Sequence, residues 1–424
     1  MKIIVRVHFI IVLKHGLGDK MDRLGKFLYF PSFSAGEFGH GLLKNHKFRG
    51  EQTVRFYSDE FPEQFRTKQF LITAGANFRR PNFREDMGFT KDNLLLGDSG
   101  GYQIASGALK WKPELKPQIF EWLENNTDWA VNLDIPPRLK MQGKFGECMD
   151  ISMENFKYFY ENQTGKTKFL GVVQGDDDIS YQKWYNTAKD FHFQGWSIGG
   201  ASGNPFRFMS GLCALLEGKE HLQDRNKVLH ILGTSRIKDF FLLIQLQKSL
   251  EDVGSKMVVT TDSSTPDRSV VYGMYYTGFS LKKGNFEYVS LPRAKHKPEM
   301  TEQIESLTNK GLVGVSEFDK WVEKYADIND IAEWTWDGQF RMRLHNYYLF
   351  CDAIKTIEQA VYQIDIIKEQ MMDKDMWQVI QSLDEMIKSD KPREVFNRNK
   401  RLYEKISSVK KSLNVSSEKS TKFF

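Results

Sequence analysis

Cysteine is scarce in this chain. Its 424 residues hold three, Cys148, Cys213 and Cys351, far apart and with no CxxC pair. Neither a disulfide framework nor a cysteine-rich zinc site can be read from them, and a reducing cytoplasm suits such usage. Long apolar runs are missing too. The opening stretch, Met1 to Leu13, reads MKIIVRVHFIIVL, but Arg6 and His8 interrupt it and no small-residue cleavage site follows. It is also too short to cross a bilayer. We read it as an edge strand, or as an upstream extension with the working domain beginning near Met21, and expect no membrane partner. Charge of one sign is not in great excess: 60 Lys and Arg against 55 Asp and Glu leave +5. That surplus suits a polyanionic partner without requiring one.

What is present is a recurring unit. From about Gln69 to Asp262, short β-rich apolar runs end in a polar or glycine residue and are followed by helical stretches. The runs are Phe70–Ala74, Leu94–Asp98, Trp129–Asp134, Phe169–Gln174, Trp196–Gly200, Val228–Gly233 and Met257–Asp262. Their spacing, roughly 25 to 40 residues, is that of a βα unit. With the Tyr- and Val-rich segment Val270–Leu291 as an eighth strand, the pattern predicts an α/β fold, a TIM (β/α)8 barrel with a C-terminal helical extension. A doubly wound open sheet would carry a Gly-rich phosphate turn after its first strand, and none is seen. The expected boundaries are 1–69 for an N-terminal extension leading into the barrel, 70–294 for the catalytic barrel and 295–388 for helices packed on it. Residues 389–424 read as a basic, partly disordered tail. After a polar break at Lys295–Met300, helices are expected over Thr301–Asn309, Ser316–Tyr325, about Gly338 to Met372, and Asp375–Lys388. The terminal SSEKSTKFF has the composition of a poorly ordered end.

In a parallel barrel, active residues stand at the carboxyl ends of the strands. Here those are Asp98, Asp134, Gln174, Gly199 with Gly200, Gly233 and Asp262. A single strand-ending Asp is readily a helix cap or turn former; three at the same place on three strands are harder to explain so. Asp98-Ser99-Gly100-Gly101-Tyr102-Gln103 is the sharpest motif. Its two glycines let the backbone approach a planar ligand, and Tyr102 supplies a stacking face; the plainer alternative is a glycine turn between strand and helix.

DSGGYQ, then GVVQG (Gly171–Gly175), then WSIGGASG (Trp196–Gly203) occur in this order, followed by VLHILG (Val228–Gly233) and TTDSSTPD (Thr260–Asp267). The set resembles the queuine/archaeosine tRNA-guanine transglycosylases, over about residues 70 to 370. Leu344-His345-Asn346 resembles a His-Asn pair of that family. The resemblance implies a pentosyltransferase that exchanges a nucleobase. Asp262 then matches the nucleophile, Asp98 the general acid/base, and Asp134 the carboxylate that reads the guanine edge. Ser99 and Gly100 belong to the motif that holds the base. Gln174 and the Gly199-Gly200 backbone match groups on its O6 side, with the Gly233 turn beside it. Tyr102 and His230 match the positions that sandwich the base, where the tRNA enzymes usually carry Phe and Met; His230 is a departure that could stack or donate a hydrogen bond, and is equally readable as a satisfied strand histidine.

The chain also departs from that pattern. The tRNA enzymes hold zinc with three clustered cysteines and a histidine. Here His345 has no such cluster, so no structural zinc and no cofactor are expected. Ser263-Ser264-Thr265-Pro266-Asp267-Arg268 replaces a Pro-Thr-Arg stretch. These losses resemble the DNA-acting branch, the 7-deazaguanine DNA-modification transglycosylases of bacteriophages and bacterial genomic islands. The expected partners are therefore DNA and a 7-deazaguanine base such as preQ0, with helper proteins that open the duplex. A tRNA acceptor is the alternative; a non-catalytic nucleic-acid-binding subunit of a transglycosylase complex is the second. Arg79, Arg80 and Arg84, interleaved with Phe78 and Phe83, are candidates for phosphate and base contacts, as is Arg268; an ordinary solvated loop is the alternative. The tail cations Arg393, Arg398, Lys400, Arg401, Lys405, Lys410 and Lys411 are either a backbone clamp or a solvated helix face.

Overall fold

A computed structural model describes residues 27–33, 36–291, 298–363 and 372–414. The expectations for Met1–Leu13, for the break near Lys295, for the far end of the long helix and for SSEKSTKFF lie outside these residues.

Eight parallel strands form one barrel. They are β1 (Phe27–Pro31), β2 (Gln69–Thr73), β3 (Leu94–Asp98), β4 (Trp129–Val131), β5 (Lys168–Val173), β6 (Gly195–Ile198), β7 (Val228–Ile231) and β8 (Val258–Ser263). The hydrogen-bonded order runs from β1 through β8, β7, β6, β5, β4 and β3 to β2. A parallel bridge from Ser32 to Leu71 joins the two outer strands. Most strand residues are fully buried, as strands covered on both faces must be.

Two expectations are corrected here. The eighth barrel strand is not Val270–Leu291 but β1, whose Tyr29 and Phe30 pair with Thr261 and Asp262. The barrel therefore begins at Phe27, inside the segment read as an extension. Val270–Leu291 instead gives the end of a short helix, α1 (Thr265–Val271), and an antiparallel hairpin, β9 (Met274–Ser280) with β10 (Asn285–Ser290). Aromatic, β-branched sequence suits either kind of strand. The turn between them, Lys282-Lys283-Gly284, bends through Gly284 at φ +69°, which brings the chain straight back rather than across the barrel.

The helical extension follows its sequence signals. Ser316 caps Glu317–Val322 in a reciprocal capping box with Asp319. The long helix α2 (Trp336–Gln363) packs the hairpin onto the barrel. Phe286 stacks on Phe350 at 5.1 Å and on Tyr276 at 4.7 Å. Asn346 of α2 accepts from the Tyr276 N–H and donates to the Met274 carbonyl, at 2.9 Å each.

In the region after Ser389, read as a basic, partly disordered tail, Pro392–Asn414 forms a helix, α4, lying on α3 (Pro205–Glu217) and on Lys374–Lys388. Val395, Phe396 and Tyr403 are buried beneath it. Four of its described cations turn to acids of the fold: Arg393 to Glu217, Arg398 to Glu385, Lys400 to Asp178 and Lys405 to Asp375. Each pair contributes little stability on its own, but the pairing consumes charge that a backbone clamp needs. Among the described residues, no helix is long and apolar enough to cross a membrane.

Candidate active site at the barrel mouth

The carboxyl ends of β3 and β8 place Asp98 and Asp262 at one mouth. Both side chains are half-buried, and Asp262 is close enough for its charge to act on Asp98. Their surroundings differ. Asp98 Oδ2 accepts from Thr73 Oγ1 at 2.9 Å and Oδ1 from the Gly100 N–H at 3.3 Å. Burial nevertheless pushes its pKa above the ordinary carboxylate value; those two hydrogen bonds oppose the shift, and the charge of Asp262 adds to it. Asp262 Oδ1 accepts the Gly233 N–H at 2.7 Å.

Asp134 lies just past the end of β4, 4% exposed, with Oδ2 accepting from Gln174 Nε2 at 2.7 Å. Burial raises its pKa to about 7; Gln174 opposes the rise and the charge of Asp98 adds to it. Gln174 Oε1 is buried and without a hydrogen-bond partner. This carboxylate and amide form a polar floor with hydrogen-bonding capacity to spare, which a buried site does not ordinarily retain.

The glycines of the two sharpest motifs are required by packing. Gly100, at φ +93°, sits so near Gly75 that an added Cβ would lie 2.5 Å from its Cα, and Ser99 Oγ donates to the Asn132 carbonyl. At Gly199 an added Cβ would meet Gln174, and at Gly200 the guanidinium of Arg138. The expected open approach to a ligand is therefore occupied by protein atoms at these positions. Gly233 is the exception: exposed, at φ +71°, with nothing within 4 Å of its missing Cβ.

The two expected stacking faces part company. Tyr102 is 65% exposed at the rim. His230 is fully buried, with Nδ1 2.8 Å from Thr260 Oγ1 and Nε2 3.3 Å from Asp262 Oδ1. It offers no face to a ligand; its Nε2 instead lies beside Asp262 without a hydrogen-bond partner.

The basic candidates also divide. Arg84 is structural, reaching Asp128 and the carbonyls of Thr90 and Asn93. Phe83 is buried against Trp122 rather than free to wedge between bases. Arg79 and Arg80 are exposed, as is Arg268 on α1, just beyond Asp262.

Sequence reading missed Arg138 and Thr73. Arg138 donates to the Gly175 carbonyl at 2.8 Å and carries a buried Nε without a partner. Its only signal is its place shortly after Asp134, behind two prolines. Nothing in the sequence marks Thr73, which the sheet register sets opposite Asp98.

The residues do not fit a zinc site of the cysteine-rich kind. His345 turns Nδ1 to Asp319 and Ser316 and Nε2 to the Tyr276 carbonyl. Among the described residues no group of three or more His, Cys, Asp or Glu is arranged to hold a metal ion. Compared with protein-family models and with curated proteins, the chain matches none.

Proposed function

We propose that this chain is a DNA-guanine transglycosylase, exchanging a guanine for a 7-deazaguanine such as preQ0 through a covalent Asp262–glycosyl intermediate. The observation that carries the reading is the pair of half-buried carboxylates, Asp98 and Asp262, at one barrel mouth in unlike surroundings. The ordered motifs DSGGYQ, GVVQG and WSIGGASG, which resemble those of the tRNA-guanine transglycosylases, name the reaction class. The absence of a clustered-cysteine segment favours DNA over tRNA.

Unlike surroundings are what base exchange asks of two acids. A carboxylate oxygen of Asp262 forms a bond to C1′ as the C1′–N9 bond breaks and its electron pair leaves with guanine. Asp98, whose hold on a proton burial strengthens, is the group that gives a proton to the departing base. The incoming base then loses its N9 proton to Asp98 and attacks C1′, returning the ester's electron pair to Asp262. Asp134 accepts the N1–H and N2–H donors of the purine edge, and the spare oxygen of Gln174 is available to the same ligand. The target nucleotide leaves its stack to reach this floor, and the exposed Arg79 and Arg80, which follow β2, and Arg268, which follows β8, are the candidates for phosphate contacts.

The test offers labelled preQ0 and labelled guanine to the full chain with DNA and with tRNA as acceptors. Incorporation into DNA supports the reading. Incorporation into tRNA alone ends the DNA assignment, and incorporation into neither ends base exchange.

A further inference from the structure

Asp262 does not stand alone on its strand. Thr260 lies two residues earlier, so both side chains share one face of β8. His230 is the register partner of Thr260 on β7. The three form a line: Thr260 Oγ1 is 2.8 Å from His230 Nδ1, and His230 Nε2 is 3.3 Å from Asp262 Oδ1. Thr260 and His230 are both 0% exposed, and Nε2 has no hydrogen-bond partner in this resting geometry.

A neutral imidazole carries its proton on one nitrogen only. A lone pair on Nε2 facing an ionised Oδ1 is repulsive, and burial of the ring weakens the screening of that repulsion. An N–H at the same place is attractive. The Thr260 hydroxyl can donate or accept, so it adapts by donating to Nδ1. We propose that Thr260 and His230 are positioning residues that present Nε2–H to Asp262, anchoring Oδ1 and leaving Oδ2 as the oxygen that bonds to carbon. Oδ1 is already held by the Gly233 N–H at 2.7 Å; an Nε2–H, with its nitrogen 3.3 Å away, would be its second donor. When Oδ2 bonds to C1′ and the C1′–N9 pair leaves with the base, Oδ1 becomes the ester carbonyl and keeps both donors. When the incoming N9 displaces the ester, the pair returns to Oδ2 and the resting carboxylate is restored. The tautomer and its anchoring role stand on the geometry; the identity of the electrophile rests on the base-exchange reading.

Two measurements on the full chain keep these apart. The first is multiple-bond proton–nitrogen NMR of 15N-histidine-labelled protein, with T260V and D262N as references. The expected result is a neutral His230 protonated at Nε2, a signal that moves in D262N, and a mixed tautomer in T260V but not in T260S. The second is exchange kinetics. Losing a hydrogen bond to a charged group predicts a fall in kcat of about tenfold or more in H230L, with KM for the incoming base little changed. H230Q, which keeps a donor near Oδ1, regains part of that loss. A wild-type chain that exchanges bases while His230 carries its proton on Nδ1, or an H230L variant with wild-type kcat, overturns the positioning pair and leaves base exchange intact. A chain without exchange activity whose Nε2–H signal still moves in D262N ends the base-exchange reading and leaves the pair in place.

Discussion

Replacing Asp134 with asparagine should stabilise the chain in mild alkali and change little in acid. Asp134 is 4% exposed and its pKa stands at about 7, against an ordinary 3.8, chiefly because burial penalises the charge. Between those values the folded chain binds a proton that the unfolded chain has released, so stability falls as pH rises through this window. The span is about 3 pH units, or about 4 kcal/mol at about 1.4 kcal/mol per unit. Asparagine keeps an oxygen for Gln174 Nε2, and its amide can donate to Gln174 Oε1, which has no partner in the wild type. D134N should therefore exceed the wild type by about 4 kcal/mol near pH 8 and by under about 2 kcal/mol near pH 5. Urea unfolding followed by tryptophan fluorescence at both pH values measures the difference. A gap that is the same at the two pH values, or that widens in acid, refutes the argument. The same variant should lose guanine affinity, because an amide cannot accept both purine donors; stability and function would then pull Asp134 in opposite directions.

D262N should abolish base exchange while leaving DNA affinity largely unchanged in a filter-binding titration; exchange at the wild-type rate rejects Asp262 as nucleophile. D319N should cost about 3–5 kcal/mol in chemical denaturation. It leaves Arg341, itself fully buried, and the His345 ring without the carboxylate that both face. A D319N chain as stable as the wild type shows that this buried network does not hold the hairpin and helices together. F396A should cost about 3–5 kcal/mol, since Phe396 is 0% exposed beneath α4 and packs on Phe206 and Tyr403. Unchanged stability would show that α4 adds nothing to the packed fold.

Periodicity made most of the barrel legible. Seven strand positions follow from apolar runs closed by polar or glycine residues, because a strand buried on both faces must be apolar throughout and must stop where the chain meets water. Phe27–Pro31 escaped because FLYFP is short, ends in proline and precedes the recurring unit. His345 and Asn346 were legible as a pair but not in their role, since the Tyr276 and Met274 backbone they bind is remote in sequence. The charges of α4 were equally visible, yet only its packing on the barrel's helices shows that Arg393 and Lys400 face Glu217 and Asp178 rather than a polyanion.

By itself, then, the sequence determined the architecture, the residues that end the strands and the likeness that names a chemistry, because each is carried by neighbours along the chain. The tertiary structure alone decided which groups meet: Thr73 with Asp98, Arg138 over Gly200, and His230, expected as a stacking face, with Asp262. Such contacts join strands remote in sequence, and their burial, which moves the acids' proton affinities, arises only when the barrel closes.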